Sequence, residues 1–133
     1  EGWSSRPSVP LVGLCMDPGM LAKRIDARVR SMYEHGLLDE ASVLRERWTL
    51  SKTALQAIGY AEAFSVLDGK LSVGEAMYLT ATRTRQLAKR QMTWFRRQAN
   101  VEWVMVERGM NAEEVAARVA VLWRKHGATP VVI

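Results

Sequence analysis

The sequence predicts a mainly α-helical chain carrying two short strands, and three observations lead there. Helix-start signals stand at Asp17-Pro18, at Ser72-x-x-Glu75 and at Asn111 with Glu114, each followed by apolar residues at helical spacing. Only residues 9–16 and 101–106 read as short apolar runs of strand length. No internal repeat and no low-complexity segment breaks the pattern.

Taken in order, residues 9–16 form a short buried strand opened by a proline. Asp17 can cap the helix that follows, with Pro18 in its first turn, where a missing N–H costs nothing. Leu21, Ile25, Val29 and Met32 then recur on one face up to His35, and Gly36 closes the helix. Residues 37–48 form a second helix with Leu37, Leu38, Ala41, Val43, Leu44 and Trp48 as its apolar set. A polar break covers 49–53, helix resumes over 54–67 with an interruption at Gly59, and Asp68-Gly69-Lys70 is a turn. The helical segment thus spans 17–70. The capping box Ser72/Glu75 launches the longest helix, 72–99. Residues 100–133 hold the second strand, containing Trp103, then a helix capped by Asn111 and a short apolar tail at 129–133. Two isolated strands are marginal in water, so they are expected to join a sheet supplied elsewhere.

The 133 residues are 48% hydrophobic and 25% charged, ordinary for one globular domain with a real core. No apolar stretch approaches the roughly 20 residues of a membrane-spanning helix, so no membrane partner is expected. The first residues lack the basic-then-apolar pattern of a signal peptide, and the chain does not begin with Met. It is expected to be processed or to be a piece of something longer. Cys15, the only cysteine, cannot form an internal disulfide, which fits a reducing, cytoplasmic setting. Its apolar surroundings favour a small core residue over a reactive thiol.

Charge is concentrated in one place. Arg83, Arg85, Lys89, Arg90, Arg96 and Arg97 lie in a stretch without a single acid, and they outweigh the net charge of +5. On a helical wheel, Arg90 and Arg97 fall within about 40° of Arg83, whereas Arg85, Lys89 and Arg96 gather near about 200–240°. Gln86 and Thr93 lie between the two stripes. Leu87, Ala88, Met92, Trp94 and Phe95 occupy the other half, giving a helix that reads as half core and half cationic face. Such a face suits nucleic-acid phosphates, each contact releasing condensed counterions; the alternative is a solvated face paired with acids on neighbouring helices. Trp94 could stack on a base, but its spacing from Leu87 reads as core. Gln91 falls on the apolar half, where its amide either caps a neighbouring loop or reaches into a functional channel.

Five segments, in this order and spacing, resemble the tRNA dimethylallyltransferase family. They are residues 21–29 (Leu-Ala-Lys-Arg-Ile-Asp-Ala-Arg-Val), 36–40 (Gly-Leu-Leu-Asp-Glu), 57–60 (Ala-Ile-Gly-Tyr), 67–70 (Leu-Asp-Gly-Lys) and 84–96 (Thr-Arg-Gln-Leu-Ala-Lys-Arg-Gln-Met-Thr-Trp-Phe-Arg). The resemblance covers roughly residues 9–105 and points to the C-terminal part of such an enzyme. It implies that the two strands complete a P-loop-type, nucleotide-binding α/β core of the parent enzyme. It also implies a reaction in which the exocyclic amine of the adenosine beside the anticodon attacks the allylic carbon of dimethylallyl diphosphate, with Mg²⁺ helping the diphosphate to leave. The target base would have to leave its stack to reach such a site.

By the same resemblance, the tRNA anticodon stem-loop is contacted by Gln56, Ala57, Ile58, Gly59 and Tyr60, and by Lys89, Arg90, Gln91, Met92, Thr93, Trp94, Phe95 and Arg96. Arg24 and Arg28 match the family's Arg-Ile-x-x-Arg pattern near the diphosphate; one helical turn apart, they either hold an anion together or pair with Asp26 or Glu40. Ala61 stands where the family usually has a cation, and Gln56 where an arginine is common. No Gly-x-x-x-x-Gly-Lys-Ser/Thr occurs, and Asp68-Gly69-Lys70 is a turn rather than a phosphate cradle. The family's acidic general base has no counterpart either, so no catalytic residue and no metal ligand is expected in this chain. A missing N-terminal P-loop half becomes an expected partner and the holder of most of the Mg²⁺ site, and the chain alone is expected to be inactive. A stand-alone helical RNA-binding module and a protein-docking domain are the competing readings.

Overall fold

The structure, a computed structural model, describes residues 10–126. The expectations for residue 9 and for the tail 129–133 fall outside these. Eight elements follow in order: β1 (Leu11–Met16), α1 (Pro18–Glu34), α2 (Leu37–Arg47), α3 (Lys52–Leu55), α4 (Tyr60–Leu67), α5 (Val73–Gln98), β2 (Val101–Val106) and α6 (Ala112–Lys125). The chain is mainly helical with two strands, as its sequence predicts. It divides into two compact units, one of Leu21–Ala88 and one of Glu1–Met20 with Lys89–Ile133.

The helix signals of the sequence work locally. The amide of Met20 donates to Asp17 Oδ2 at 3.0 Å, starting α1 where the sequence places it. Gly36, at φ 98°, ends that helix and leads into α2 in a conformation that a Cβ disfavours. The polar break is shorter than the expected 49–53: Ser51 caps a short α3, its hydroxyl accepting from the Ala54 amide at 3.1 Å. Gly59 is correspondingly a helix start and not an interruption within one. At φ 96° and ψ −53° it begins α4. Before α5 the box closes both ways, Ser72 N–H donating to Glu75 Oε2 at 2.7 Å and Glu75 N–H to Ser72 Oγ at 3.1 Å. The Ser72 amide, and after it the Ser72 side chain, hold the Glu75 carboxyl below its usual pKa.

Two apolar clusters stabilise the unit 21–88. Leu37, Ala41, Ala63 and Phe64 form one, and Ile25, Val29 and Ala81 the other; Met32 and Tyr33 pack against both. Ala41, Ala63 and Ala76 are completely buried, so small side chains set how closely these helices approach. Burying Leu37 and Phe64 contributes about 1.5–3 kcal/mol each.

In the other unit, β1 and β2 pair with each other in parallel, Leu11 beside Val101 through Met16 beside Val106. They therefore have one partner within the chain, and each retains an edge with none among the described residues. Gly13 is required by a close approach: a Cβ there would lie 2.6 Å from the Trp103 ring. Cys15 is half-buried, its thiol 3.6 Å from the Val104 carbonyl oxygen. Asn111 and Glu114 close a reciprocal box at 2.8 and 3.0 Å and start α6, and Glu102 Oε1 lies 2.7 Å from His126 Nε2.

Candidate nucleic-acid interface

The last part of α5 carries an open groove of about 370 Å³ lined by Lys89, Arg90, Thr93, Trp94, Arg97 and Gln98. Arg90 stands one turn before Trp94 and Arg97 one turn after it, so the indole lies between two guanidinium-bearing positions on one face. Trp94 is 50% exposed and Phe95 38%, their rings meeting edge-on at 4.9 Å. This corrects the half-core reading of the wheel. Leu87, Trp94 and Phe95 are all exposed, because helical spacing gives a side chain's direction and not whether another element waits there. Gln91 is also exposed, so its amide carries no burial cost, and Met92 is half-buried. Thr93 donates its hydroxyl to the Lys89 carbonyl oxygen at 3.0 Å. Among the described residues, Lys89, Arg90, Arg96 and Arg97 form no ion pair.

The first two cations of the run behave differently. Arg85 pairs with Asp26 at 2.9 Å, so the acid considered as a partner for Arg24 or Arg28 is engaged elsewhere. Arg83 pairs with Glu62 and donates its second terminal nitrogen to the Gln56 carbonyl oxygen at 3.1 Å. The unpaired six-cation face is thus reduced to four, because acids distant in sequence fold against its start.

Those contacts also shape residues 56–60, the second run expected to meet RNA, which links α3 to α4. Glu62 is only 4% exposed and accepts the Gly59 N–H at 2.7 Å. Gln56 is held through its carbonyl, Gly59 through its amide, and Tyr60 through its hydroxyl, which donates to Glu40. That bond, then partial burial, then the charge of Glu40 raise the Tyr60 pKa. Ala57 and Ile58 are half-buried, Gly59 is buried, and Gln56 is exposed. Tyr33 stands near the same network; burial raises its pKa most, Thr80 lowers it and Glu62's charge raises it. Sequence reasoning missed Glu62 and Glu40 as supports, although Glu62 stands three residues beyond Gly59, the spacing of a reverse cap.

Arg24 and Arg28 are exposed on α1 and bear no ion pair among the described residues, so both remain available to an anion. Among those residues, no three His, Cys, Asp or Glu side chains gather as a metal site. Among the described residues, no helix is long and apolar enough to cross a membrane.

The end of α5 is thus a cationic groove with an exposed indole, and residues 56–60 are a turn braced by the buried Glu62 and by Arg83. Comparison with known proteins gives the family. Residues 3–98 match the family described as IPP transferase, and the chain belongs to it. It is 44% identical over 104 residues to a tRNA dimethylallyltransferase of Synechococcus sp. (strain CC9605), which covers 78% of this chain and 35% of that protein. It is 43% identical over 105 residues to the tRNA dimethylallyltransferase of Carboxydothermus hydrogenoformans, covering 77% and 34%. A solved tRNA delta(2)-isopentenylpyrophosphate transferase from Staphylococcus epidermidis superposes with a TM-score of 0.77 at 36% identity, covering 86% of this chain and 37% of that one. The full-length tRNA isopentenylpyrophosphate transferase of Bacillus halodurans gives 0.75 at 36% identity, covering 86% and 38%. The chain spans about a third of the length of the curated relatives it matches.

Proposed function

We propose that this chain is the tRNA-gripping part of an enzyme that transfers a dimethylallyl group to the exocyclic amine of the adenosine beside the anticodon. The observation that carries the reading is the groove around Trp94, where cations without acidic partners flank an exposed aromatic face. Lys89, Arg90, Arg96 and Arg97 would bind successive phosphates of the anticodon stem-loop, and Trp94 would stack on an unpaired base. Residues 56–60 would meet the same RNA as a braced turn. Arg24 and Arg28 would hold the diphosphate as the allylic C–O bond breaks, the N–C bond forms and the amine loses its proton.

The proton acceptor and a P-loop would come from a polypeptide corresponding to the rest of the relatives, whose sheet would pair with the open strand edges. The same polypeptide would hold most of the Mg²⁺ site. The absence of a P-loop motif from the sequence equally suits a second reading, an RNA-binding module without catalysis.

One experiment separates the two. The chain is mixed with the P-loop-bearing N-terminal portion of a relative, and label transfer from dimethylallyl diphosphate to an anticodon stem-loop is followed. Transfer that needs both polypeptides supports the enzyme reading. No transfer from an associated complex that binds the RNA refutes it and leaves the module.

A further inference from the structure

The unit 21–88 contains a concave site of about 330 Å³ whose walls come from α1, α2 and the turn before α4. Met32, Leu37 and Ile58 supply its apolar surface, and His35, Glu40 and Tyr60 its polar groups. The volume lies at the lower end of small-ligand sites, about 300–1,000 Å³, which suits one flat heterocycle better than a whole nucleotide.

The hydrogen-bonding character of the polar groups is fixed by their neighbours. Tyr60 spends its hydroxyl proton on Glu40 Oε1, leaving Oε2 as an acceptor, and no cation pairs with this carboxylate among the described residues. His35 Nδ1 lies 2.7 Å from the Ser31 carbonyl oxygen. A carbonyl can only accept, so Nδ1 carries the proton, which leaves Nε2 as the ring nitrogen able to accept from a ligand. Two acceptors, one of them anionic, beside an apolar surface repel phosphate and select a flat ligand with N–H donors on its edge. The wall is preorganised as well: the Gly59 amide is held by Glu62 and the Gln56 carbonyl by Arg83.

We infer that this site takes one unpaired nucleobase bearing an exocyclic amine, read by Glu40 and His35 and packed on Met32, Leu37 and Ile58. This rests on the reading of the chain as an RNA binder and adds a base-specific contact to a grip otherwise made through phosphates and stacking. Carboxylates accept from amine-bearing base edges, whereas uracil would set its carbonyl oxygens against the two acceptors. The site would therefore tell an amine-bearing loop base from uracil, independently of the α5 groove.

The test uses the full chain and fluorescent anticodon stem-loops, with dissociation constants read by anisotropy at fixed salt. Loop residues are changed singly, adenosine to purine riboside, guanosine to inosine and cytidine to its 4-deamino analogue, so that each arm deletes one amine. At one position, loss of the amine should weaken wild-type binding about 10-fold and Glu40→Gln binding less than 2-fold. Ile58→Trp, which fills the site without altering the carboxylate, should erase the same preference. Melting of each variant shows that it is folded. If amine deletions and Glu40→Gln act independently at every position while Lys89→Gln still weakens binding, the base site is wrong and the RNA reading stands; a basic side chain of a protein partner is then the better occupant. If the folded wild-type chain binds no stem-loop, both fall.

Discussion

Replacing Arg83 by Met should damage the chain more than replacing its partner Glu62 by Gln, although both changes break one ion pair. The difference lies in what each leaves behind. The Glu62 side chain is 5% exposed and the Arg83 side chain 39%. Without Arg83, a carboxylate stays buried with only the Gly59 amide at 2.7 Å to compensate it, and an uncompensated buried charge costs about 3–5 kcal/mol. Glu62→Gln keeps an oxygen for the Gly59 amide and leaves a guanidinium that reaches water and still holds the Gln56 carbonyl, a loss of about 1–2 kcal/mol. The double variant Glu62→Leu with Arg83→Met should recover part of the larger loss, since it removes the stranded charge and orphans mainly one amide. Urea unfolding of the full chain, followed by far-ultraviolet circular dichroism and compared at constant slope, reads all three. Equal losses for the two single variants, or a greater loss for Glu62→Gln, would refute the view that Glu62 is the buried, dependent member.

Gly59→Ala should cost about 1–3 kcal/mol through backbone strain alone, because φ 96° with ψ −53° disfavours a Cβ although the nearest atom, Met32 Cε, is 3.9 Å away. Gly36→Ala, nearer the ordinary left-handed region at ψ 25°, should cost less, and thermal melts of the two compare them. Gly13→Ala should cost about 1–3 kcal/mol for the opposite reason, a collision with Trp103. Tyr33 and Tyr60 both have pKa values raised above 10.0 in the fold. Their contribution is therefore intact below pH 10.0 and lost as pH rises through the folded values. Tyr60→Phe should flatten the alkaline fall in stability, measured as melting temperature against pH.

The features legible in the sequence are those decided within a few residues. Asp17, Ser72 with Glu75 and Asn111 with Glu114 announce their helices because a cap bonds amides two or three positions away. Gly36 likewise shows its turn, since only a backbone without Cβ adopts that φ easily. Pairings across long separations stayed hidden. Nothing near Arg83 indicates that Glu62, on another helix, will neutralise it, and nothing near Leu11 indicates that Val101 will be its strand partner. The misreading of Trp94 has the same origin, because an aromatic at helical spacing looks alike facing a core or facing solvent. The run 56–60 was legible only through family resemblance, whereas the charge pattern alone marks the end of α5 as a face for phosphates. The physical reading found the cations of one and missed the bracing carboxylates of the other.

The salt dependence of stem-loop binding tests the central claim most directly. The logarithm of the binding constant should fall linearly with the logarithm of salt concentration, and Lys89→Gln, Arg90→Gln, Arg96→Gln and Arg97→Gln should each reduce the slope by about 1. Arg83→Gln should leave the slope unchanged when binding is referred to the folded chain, because its charge is committed to Glu62. A slope that falls as much for Arg83→Gln as for Arg90→Gln, or a wild-type affinity indifferent to salt, would contradict the account.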